Sequence, residues 1–198
     1  MENTSPVVIL AAGASNRLGR PKAFVEVAGK TLLLHIVERF QKLNCYPIVV
    51  VTNQDCLFQA TLESKESTVV LNSNPKLGRT GSIQLGLSTI INEIGRLPER
   101  IIIAPVDRPG WKIENITPLL QSEISSSLFS NGVKGHPVTI VGKDLQTLLG
   151  ADKSKPLRDV IVFGQVDVDA PLLSLNIDTP EDIEILQDNQ TFFESINP

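Results

Sequence analysis

Val7-Val8-Ile9-Leu10-Ala11-Ala12-Gly13-Ala14-Ser15-Asn16-Arg17-Leu18-Gly19-Arg20-Pro21-Lys22 is the stretch on which the reading of this chain turns. The apolar run Val7–Leu10 reads as a buried strand. The loop after it offers Gly13, the small residues Ala14 and Ser15, then Arg17, Gly19 and Lys22. Small residues let backbone N–H groups approach an anion closely, and two cations then neutralise it. That combination suits a polyphosphate, so Leu10, Ala11, Ala12, Gly13, Ala14 and Ser15, with Arg17 and Lys22, are the candidate nucleotide-binding residues. Two other phosphate loops are excluded. Ala23 follows Lys22, so the order is not G-x-x-x-x-G-K-[ST]. Ser15 stands where G-x-G-x-x-G needs its second glycine.

Outward from this loop, short β-branched runs alternate with helical patterns. A helix is expected over Thr31–Leu43, with Leu33, Ile36, Val37 and Phe40 on one face. Ile48–Val51 reads as a strand and Asp55–Glu63 as a short helix. Thr68–Leu71 is a strand and Ser82–Ile94 a helix; Ile101–Ala104 is a strand and Glu114–Ser122 a helix. The repetition predicts an α/β fold, a parallel sheet with helices on both faces.

Each predicted strand ends in polar residues. The first runs into Gly13–Lys22, the second into Thr52-Asn53-Gln54, the third into Asn72-Ser73-Asn74 and the fourth into Pro105-Val106-Asp107. Each cluster alone is ordinary turn chemistry. In an open parallel sheet, however, ligands bind outside the carboxyl ends of the strands. Four such clusters at four strand ends favour a shared crevice, and bring Asn53 and Asn74 into the candidate nucleotide site. The second half departs from the rhythm. Ser125–Ser130 and Pro137–Val141 flank Asn131-Gly-Val-Lys-Gly-His136, Val166–Val168 and Leu173–Ile177 read as strands, and a last helix starts near Pro180. Antiparallel strands here would wall the other half of the cleft.

Size and composition set limits. At 198 residues the expectation is one domain over 1–198, with a nucleotide-binding half over about 1–110 and an acceptor-binding half over about 111–198. A net charge of −4 gives no global field for nucleic acid or an anionic membrane, so an anion site must be local. Met1–Pro6 has no basic region leading into an apolar core, and no apolar run nears the roughly 20 residues of a membrane span. Cys45 and Cys56 lack metal-ligand spacing and read as reduced thiols of a cytoplasmic protein.

Several side chains carry chemistry. Asp107 closes an apolar strand, where a carboxylate can hold a hard cation such as Mg²⁺ together with phosphate oxygens and water. It also suits a turn before Arg108-Pro109-Gly110. In Leu175-Asn-Ile-Asp-Thr-Pro-Glu-Asp182, Thr179, Pro180 and Asp182 are accounted for by helix initiation. Asp178 precedes the cap and is the second candidate metal ligand, with Asn176 behind it on the same strand face. Gly78, Gly81 and Ser82 can present N–H groups to a phosphate or base, while Thr80 or Ser82 can equally be N-caps. In Gly135-His136-Pro137, His136 suits a hydrogen bond to substrate or a structural place in the interior. Trp111 suits packing or stacking on a heterocycle. His35 is given no catalytic role.

The string Leu10–Lys22 is similar to the nucleotidyltransferase signature L-A-[AG]-G-x-[SG]-x-R-[ML]-G-x-x-K. With Asn74–Leu87, Ala104–Gly110, Gly135–Pro137 and Asn176–Asp182 it resembles the MobA-like nucleotidyltransferase family, in its molybdenum-cofactor cytidylyltransferase branch. The resemblance implies a Rossmann-like three-layer α/β/α sandwich of the nucleotide-diphospho-sugar-transferase type. It implies Mg²⁺-dependent transfer of a nucleotidyl group from a nucleoside triphosphate to a phosphate-bearing acceptor, with release of pyrophosphate. Arg17 and Lys22 would hold the triphosphate and, with Asp107, form the catalytic set. Asp107 and Asp178 would hold Mg²⁺, and Ala11–Ser15, Asn74 and Ser82 the nucleotide. Ala12 and Gly135-His136-Pro137 match the cytidylyl branch, which favours CTP over GTP and molybdopterin as acceptor. Leu18 replaces the branch's usual methionine. Arg108 stands where it has glutamine, adding a cation to an acceptor set of Arg108, Gly135 and His136 and pointing to an acceptor with more negative charge. Transient contact with a molybdoenzyme or its chaperone would follow. The alternatives are a sugar- or polyol-phosphate nucleotidyltransferase, or an accessory module that binds nucleotide without turnover.

Overall fold

The computed structural model describes residues 5–194; residues 1–4 of the Met1–Pro6 stretch lie outside them. Val7–Ala11 forms β1, and its side chains alternate between two buried faces. Val7 and Ile9 join one core cluster and Val8 the other, which places β1 inside a sheet covered on both sides. Around it are arranged β2 (Glu26–Val27), β3 (Lys30–Thr31), α1 (Leu32–Lys42), β4 (Ile48–Thr52), α2 (Leu57–Glu63) and β5 (Thr68–Leu71). The chain continues with α3 (Arg79–Ile94), β6 (Arg100–Pro105), α4 (Ile113–Gln121), β7 (Ser126–Ser130), β8 (Val133–Val141) and α5 (Lys143–Gly150). It closes with β9 (Gly164–Asp167), α6 (Pro180–Asp188) and α7 (Gln190–Glu194).

Seven strands make one sheet in the order β5-β4-β1-β6-β8-β7-β9. Pairs β5–β4, β4–β1, β1–β6 and β7–β9 are parallel, and only β8 runs against the rest. The expected antiparallel region is thus one reversed strand. It lets β7 and β9 end on the same edge as β1, β4, β5 and β6. Leu33, Ile36 and Phe40 of α1 and Ile116 and Leu119 of α4 pack on one face. Ile83, Leu87 and Ile90 of α3 and Leu145 and Leu148 of α5 pack on the other. The result is the expected three-layer α/β/α sandwich.

One expected strand is absent. Leu173–Ile177 runs through successive turns, with Leu173 N–H bonded to Ala170 O at 3.0 Å and Leu175 N–H to Leu172 O at 2.9 Å. Its alternating apolar residues are buried for another reason: Leu175 and Ile177 join Leu18, Val25, Leu186 and Phe193 in a third cluster beside the loop that follows β1. The face that Asn176 was expected to share with Asp178 therefore does not exist. The helix after it does begin at Pro180.

A buried cation fixes the turn after β6. Arg39 of α1 is fully buried and donates from Nη1 to Pro109 O and Trp111 O, both at 2.8 Å. Its guanidinium lies 4.8 Å from the Trp111 ring centroid, within cation–π range. Burial pushes its pKa down to about 9, so it stays charged at neutral pH. Trp111 is itself fully buried, 5.2 Å from the Phe40 ring, which is the packing outcome and not an exposed stacking platform. His35 is buried as well and donates from Nε2 to Val27 O at 2.8 Å. Cys45 and Cys56 are free and buried. Among the described residues, no helix is long and apolar enough to cross a membrane.

Candidate active site

Beyond β1 the backbone turns sharply, with Ser15 at φ 50° and Gly19 at φ 72°. The Ser15 carbonyl accepts the N–H groups of Leu18 and Gly19, both at 3.1 Å, and its hydroxyl accepts Lys22 N–H at 3.1 Å. The loop closes on itself and delivers Lys22 into a single 3-10 turn, Lys22–Phe24, anchored by the buried Ala23. Asp107 stands two residues past the end of β6 and is buried. Asp178 comes from far along the chain. Ile177 N–H donates to Asp107 O at 2.9 Å, and Asp182 Oδ2 accepts the N–H groups of Asp178 and Thr179 at 2.8 and 2.7 Å. Helix initiation at α6 and one link to the β6 loop thereby set the second carboxylate beside the first.

Both carboxylates meet one cation. Lys22 Nζ lies 3.4 Å from Asp107 Oδ2 and is ion-paired with Asp178 Oδ1. The exposed Arg17 pairs with the other Asp178 oxygen, and Arg79 approaches Asp107 Oδ2 at 3.8 Å. The hydrogen bond from Lys22, reinforced by the charges of Lys22 and Arg17, holds the Asp178 carboxyl below the usual range. Asp107 Oδ1 is buried without a hydrogen-bond partner. Among the described residues, no three His, Cys, Asp or Glu side chains form a metal cluster.

These groups border a cleft of about 360 Å³ at the carboxyl ends of the strands, a size in the range of small-ligand sites. Leu10 to Ser15, Arg17, Lys22, Ser82, Asp107 and Asp178 all line it. Three expected nucleotide residues do not. Asn53 braces the loop from behind: its side-chain oxygen accepts Cys56 N–H at 3.0 Å and its amide donates to Gly13 O at 3.3 Å. Asn74 is exposed and bonded through its N–H to Asn72 Oδ1 at 2.9 Å. Gly81 N–H donates to Lys153 O at 3.3 Å. Neither Thr80 nor Ser82 caps α3, because the helix starts at Arg79 with Gly78 before it. The Ser82 hydroxyl instead accepts from Asn72 Nδ2 at 2.9 Å.

The expected acceptor residues line a second cavity of about 540 Å³, and Leu10, Gly78, Arg79 and Pro105 belong to the walls of both. Gly135 is explained by packing: a Cβ there would come within 2.5 Å of Leu173 Cγ. His136 is half-buried, and burial, with the charges of Arg79 and Arg108, pushes its pKa down to about 4. It is therefore a neutral hydrogen-bonding group at pH 7.

Sequence reasoning passed over Arg79 and Cys56, which also line the cleft. Arg79 gave no signal in the sequence, where it stood ahead of a helix expected from Ser82. In the structure it opens α3, where a cation opposes the helix dipole, and Asp107 supplies an anion nearby.

A doubly covered, mostly parallel sheet thus carries a small-residue loop, paired cations and two carboxylates together at its strand ends. Comparison with known proteins makes this specific. The chain belongs to the MobA-like NTP transferase family, whose domain model matches residues 7–168. A molybdenum cofactor guanylyltransferase of Rhizobium meliloti (strain 1021) is 26% identical over 90% of this chain and 88% of its own length. The crystal structure of Rv0371c from Mycobacterium tuberculosis H37Rv superposes with a TM-score of 0.78 at 18% identity, over 95% of this chain and all of that one. The inositol-1-phosphate CTP transferase from T. maritima gives 0.74 at 14% identity, over 97% of each chain. At those identities the structural likeness speaks for the fold alone.

Proposed function

We propose that this protein transfers the nucleotidyl group of a nucleoside triphosphate, CTP by preference, to the phosphate of a small-molecule acceptor, and releases pyrophosphate. The observation that carries the reading is the Lys22 ammonium held between Asp107 and Asp178 at the mouth of the strand-end cleft. An incoming triphosphate would replace the carboxylates as partner of Lys22 and Arg17, and Arg79 and Ser82 of α3 border the same cleft. Asp107 and Asp178 would hold Mg²⁺, consistent with the unpartnered Asp107 Oδ1. When bound, that ion would neutralise phosphate charge.

An acceptor phosphate has a second pKa near 6, so much of it is a dianion at neutral pH and no strong base is needed. One of its oxygens attacks the α-phosphorus and forms a new P–O bond. The bond from the α-phosphorus to the α–β bridging oxygen breaks, and its electron pair leaves with pyrophosphate. The protein's part is alignment and charge stabilisation. Lys22 and Arg17 would stabilise the leaving group, and Arg79, on the wall common to both cavities, would face the reacting phosphates.

CTP rests on Ala12 and on the match of Gly135–Pro137 to the cytidylyl branch, whereas the R. meliloti relative is named a guanylyltransferase. Molybdopterin is the first acceptor to test, and contact with a molybdoenzyme or its chaperone belongs to that reading. A sugar or polyol phosphate is the second, in keeping with the name of the inositol-1-phosphate CTP transferase that shares this fold. The test is pyrophosphate release with each nucleoside triphosphate against molybdopterin and inositol 1-phosphate. Lys22→Ala and Asp107→Ala are each expected to lower turnover roughly a hundredfold or more. Wild-type turnover in either variant would remove the role given to that residue. Nucleotide binding without pyrophosphate from any acceptor would indicate a non-catalytic module.

A further inference from the structure

We infer that the second cavity takes an acceptor bearing two anionic groups, the reacting phosphate and a further carboxylate or phosphate, on a body with apolar surface. The inference rests on the nucleotidyl-transfer reading for which of the two groups reacts. It rests on the cavity itself for the charge count.

Five cationic side chains line this cavity: Arg79, Arg108, Lys134, Lys155 and Arg158. Among the described residues no Asp or Glu lines it, in a chain whose net charge is −4. Among the described residues, two of these cations have a carboxylate within 4 Å, Arg79 at 3.8 Å from Asp107 and Arg158 at 3.9 Å from the exposed Asp159, and the exposed Asp152 feels the charge of Lys155. Like charges gathered on one concave wall repel, and the wall focuses their field, so an anion entering it is favoured. A single phosphate dianion balances two of the five. Arg79 and Arg108 flank the edge next to the nucleotide cleft, where the reacting phosphate has to lie. Lys155 and Arg158 come from another segment, 151–158, and are left for a second anion.

That segment is held as part of the wall. Gln84 Nε2 donates to Leu148 O and Ala151 O, both at 2.8 Å. Gly81 N–H reaches Lys153 O, and the Thr80 hydroxyl reaches Lys155 O. Three residues of the first turns of α3 thus fix the stretch that carries the outer cations, and α3 also carries Arg79. The wall also carries the apolar side chains Ile83, Ile103, Val138, Leu157 and Phe163, beside His136, Ser127 and Ser154. An inorganic ion would leave that surface wet. An organic body bearing both charges would cover it.

The test uses a matched pair of probes, glycerol 3-phosphate and 3-phosphoglycerate, which differ by one carboxylate. Each is titrated calorimetrically into the protein with Mg²⁺ and the α,β-methylene analogue of CTP. Thermal stabilisation by that analogue is measured separately. The expected result is binding of 3-phosphoglycerate about tenfold or more tighter, as for one added charge-assisted contact. In the double variant Lys155→Gln/Arg158→Gln the advantage falls below about twofold on the same scale, while stabilisation by the nucleotide analogue is unchanged. Equal affinity of the two probes, no binding of either, or an advantage that survives in the double variant overturns the inference. If the analogue fails to stabilise the protein but the carboxylate advantage is present and lost in the double variant, the nucleotide reading fails and the inference about the cavity stands.

Discussion

Lys22 holds two carboxylates in the structure and a triphosphate tail in the proposed reaction. An ammonium group can do both because it is a compact charge with three donors and no fixed fork. The same pairing keeps Asp178 ionised below the ordinary carboxylate range, so its contribution to stability is present at neutral pH and is lost only in strong acid. His136, whose pKa also falls, gives the same direction of pH dependence in a higher window. Its folded value of about 4 lies below the unfolded one near 6.5, so the unfolded chain binds the extra proton between them. Stability should therefore decline as pH drops from about 6.5 towards 4, with no contribution from this group above that window. The imidazole C–H resonance of His136, assigned by comparison with His136→Gln, is expected to titrate near pH 4. A midpoint near 6.5 would mean that the side chain is hydrated and outside the cavity wall.

At the scale of elements, α3 links the sheet, the cleft and the second cavity. It begins at Arg79, ahead of the expected Ser82, because Gly78 at φ 111° permits the entry. It lies close on β1 because Gly86 has no side chain. A Cβ there would come within 2.5 Å of Val8 Cγ1 and 3.2 Å of Val51 Cγ2. Gly86→Ala would gain about 1 kcal/mol of helix propensity. Overpacking of the kind this contact implies costs about 1–3 kcal/mol. The expected outcome is a lower Tm together with a raised KM for the nucleotide, since the helix must shift and Arg79 and Ser82 shift with it. An unchanged KM in a folded, destabilised variant would show that α3 does not position the cleft.

The whole molecule assembles one cleft from segments 10–22, 75–82, 105–107 and 178, which only the complete fold brings together. A ligand that binds this arrangement and not the unfolded chain stabilises it by mass action. At one hundred times its Kd the gain is about 2.7 kcal/mol. For a chain of this length that corresponds to a rise in Tm of roughly 5–10 °C. Such a rise is expected with one nucleoside triphosphate above the others in the presence of Mg²⁺. It should shrink markedly in Asp107→Asn. A flat response to all four nucleotides would exclude the cleft as a nucleotide site.

The parallel half of the sheet was legible because its strands are short apolar, β-branched runs bounded by turn residues, a signal contained within a few neighbouring positions. The loop after β1 was legible for the same reason: Gly13, Ser15, Arg17, Gly19 and Lys22 act through local backbone geometry. Leu173–Ile177 misled because its apolar residues are buried against that loop and α6, and not in a sheet. Tertiary structure alone decided that Asp178 meets Asp107 through the Ile177 link, that Asn53, Asn74 and Gly81 support neighbouring segments and do not line the cleft, and that Arg79 and the 151–158 segment wall a second cavity. Periodicity and turn chemistry are written along the chain. The meeting of side chains 156 residues apart depends on strand order and on which loops close over the sheet edge.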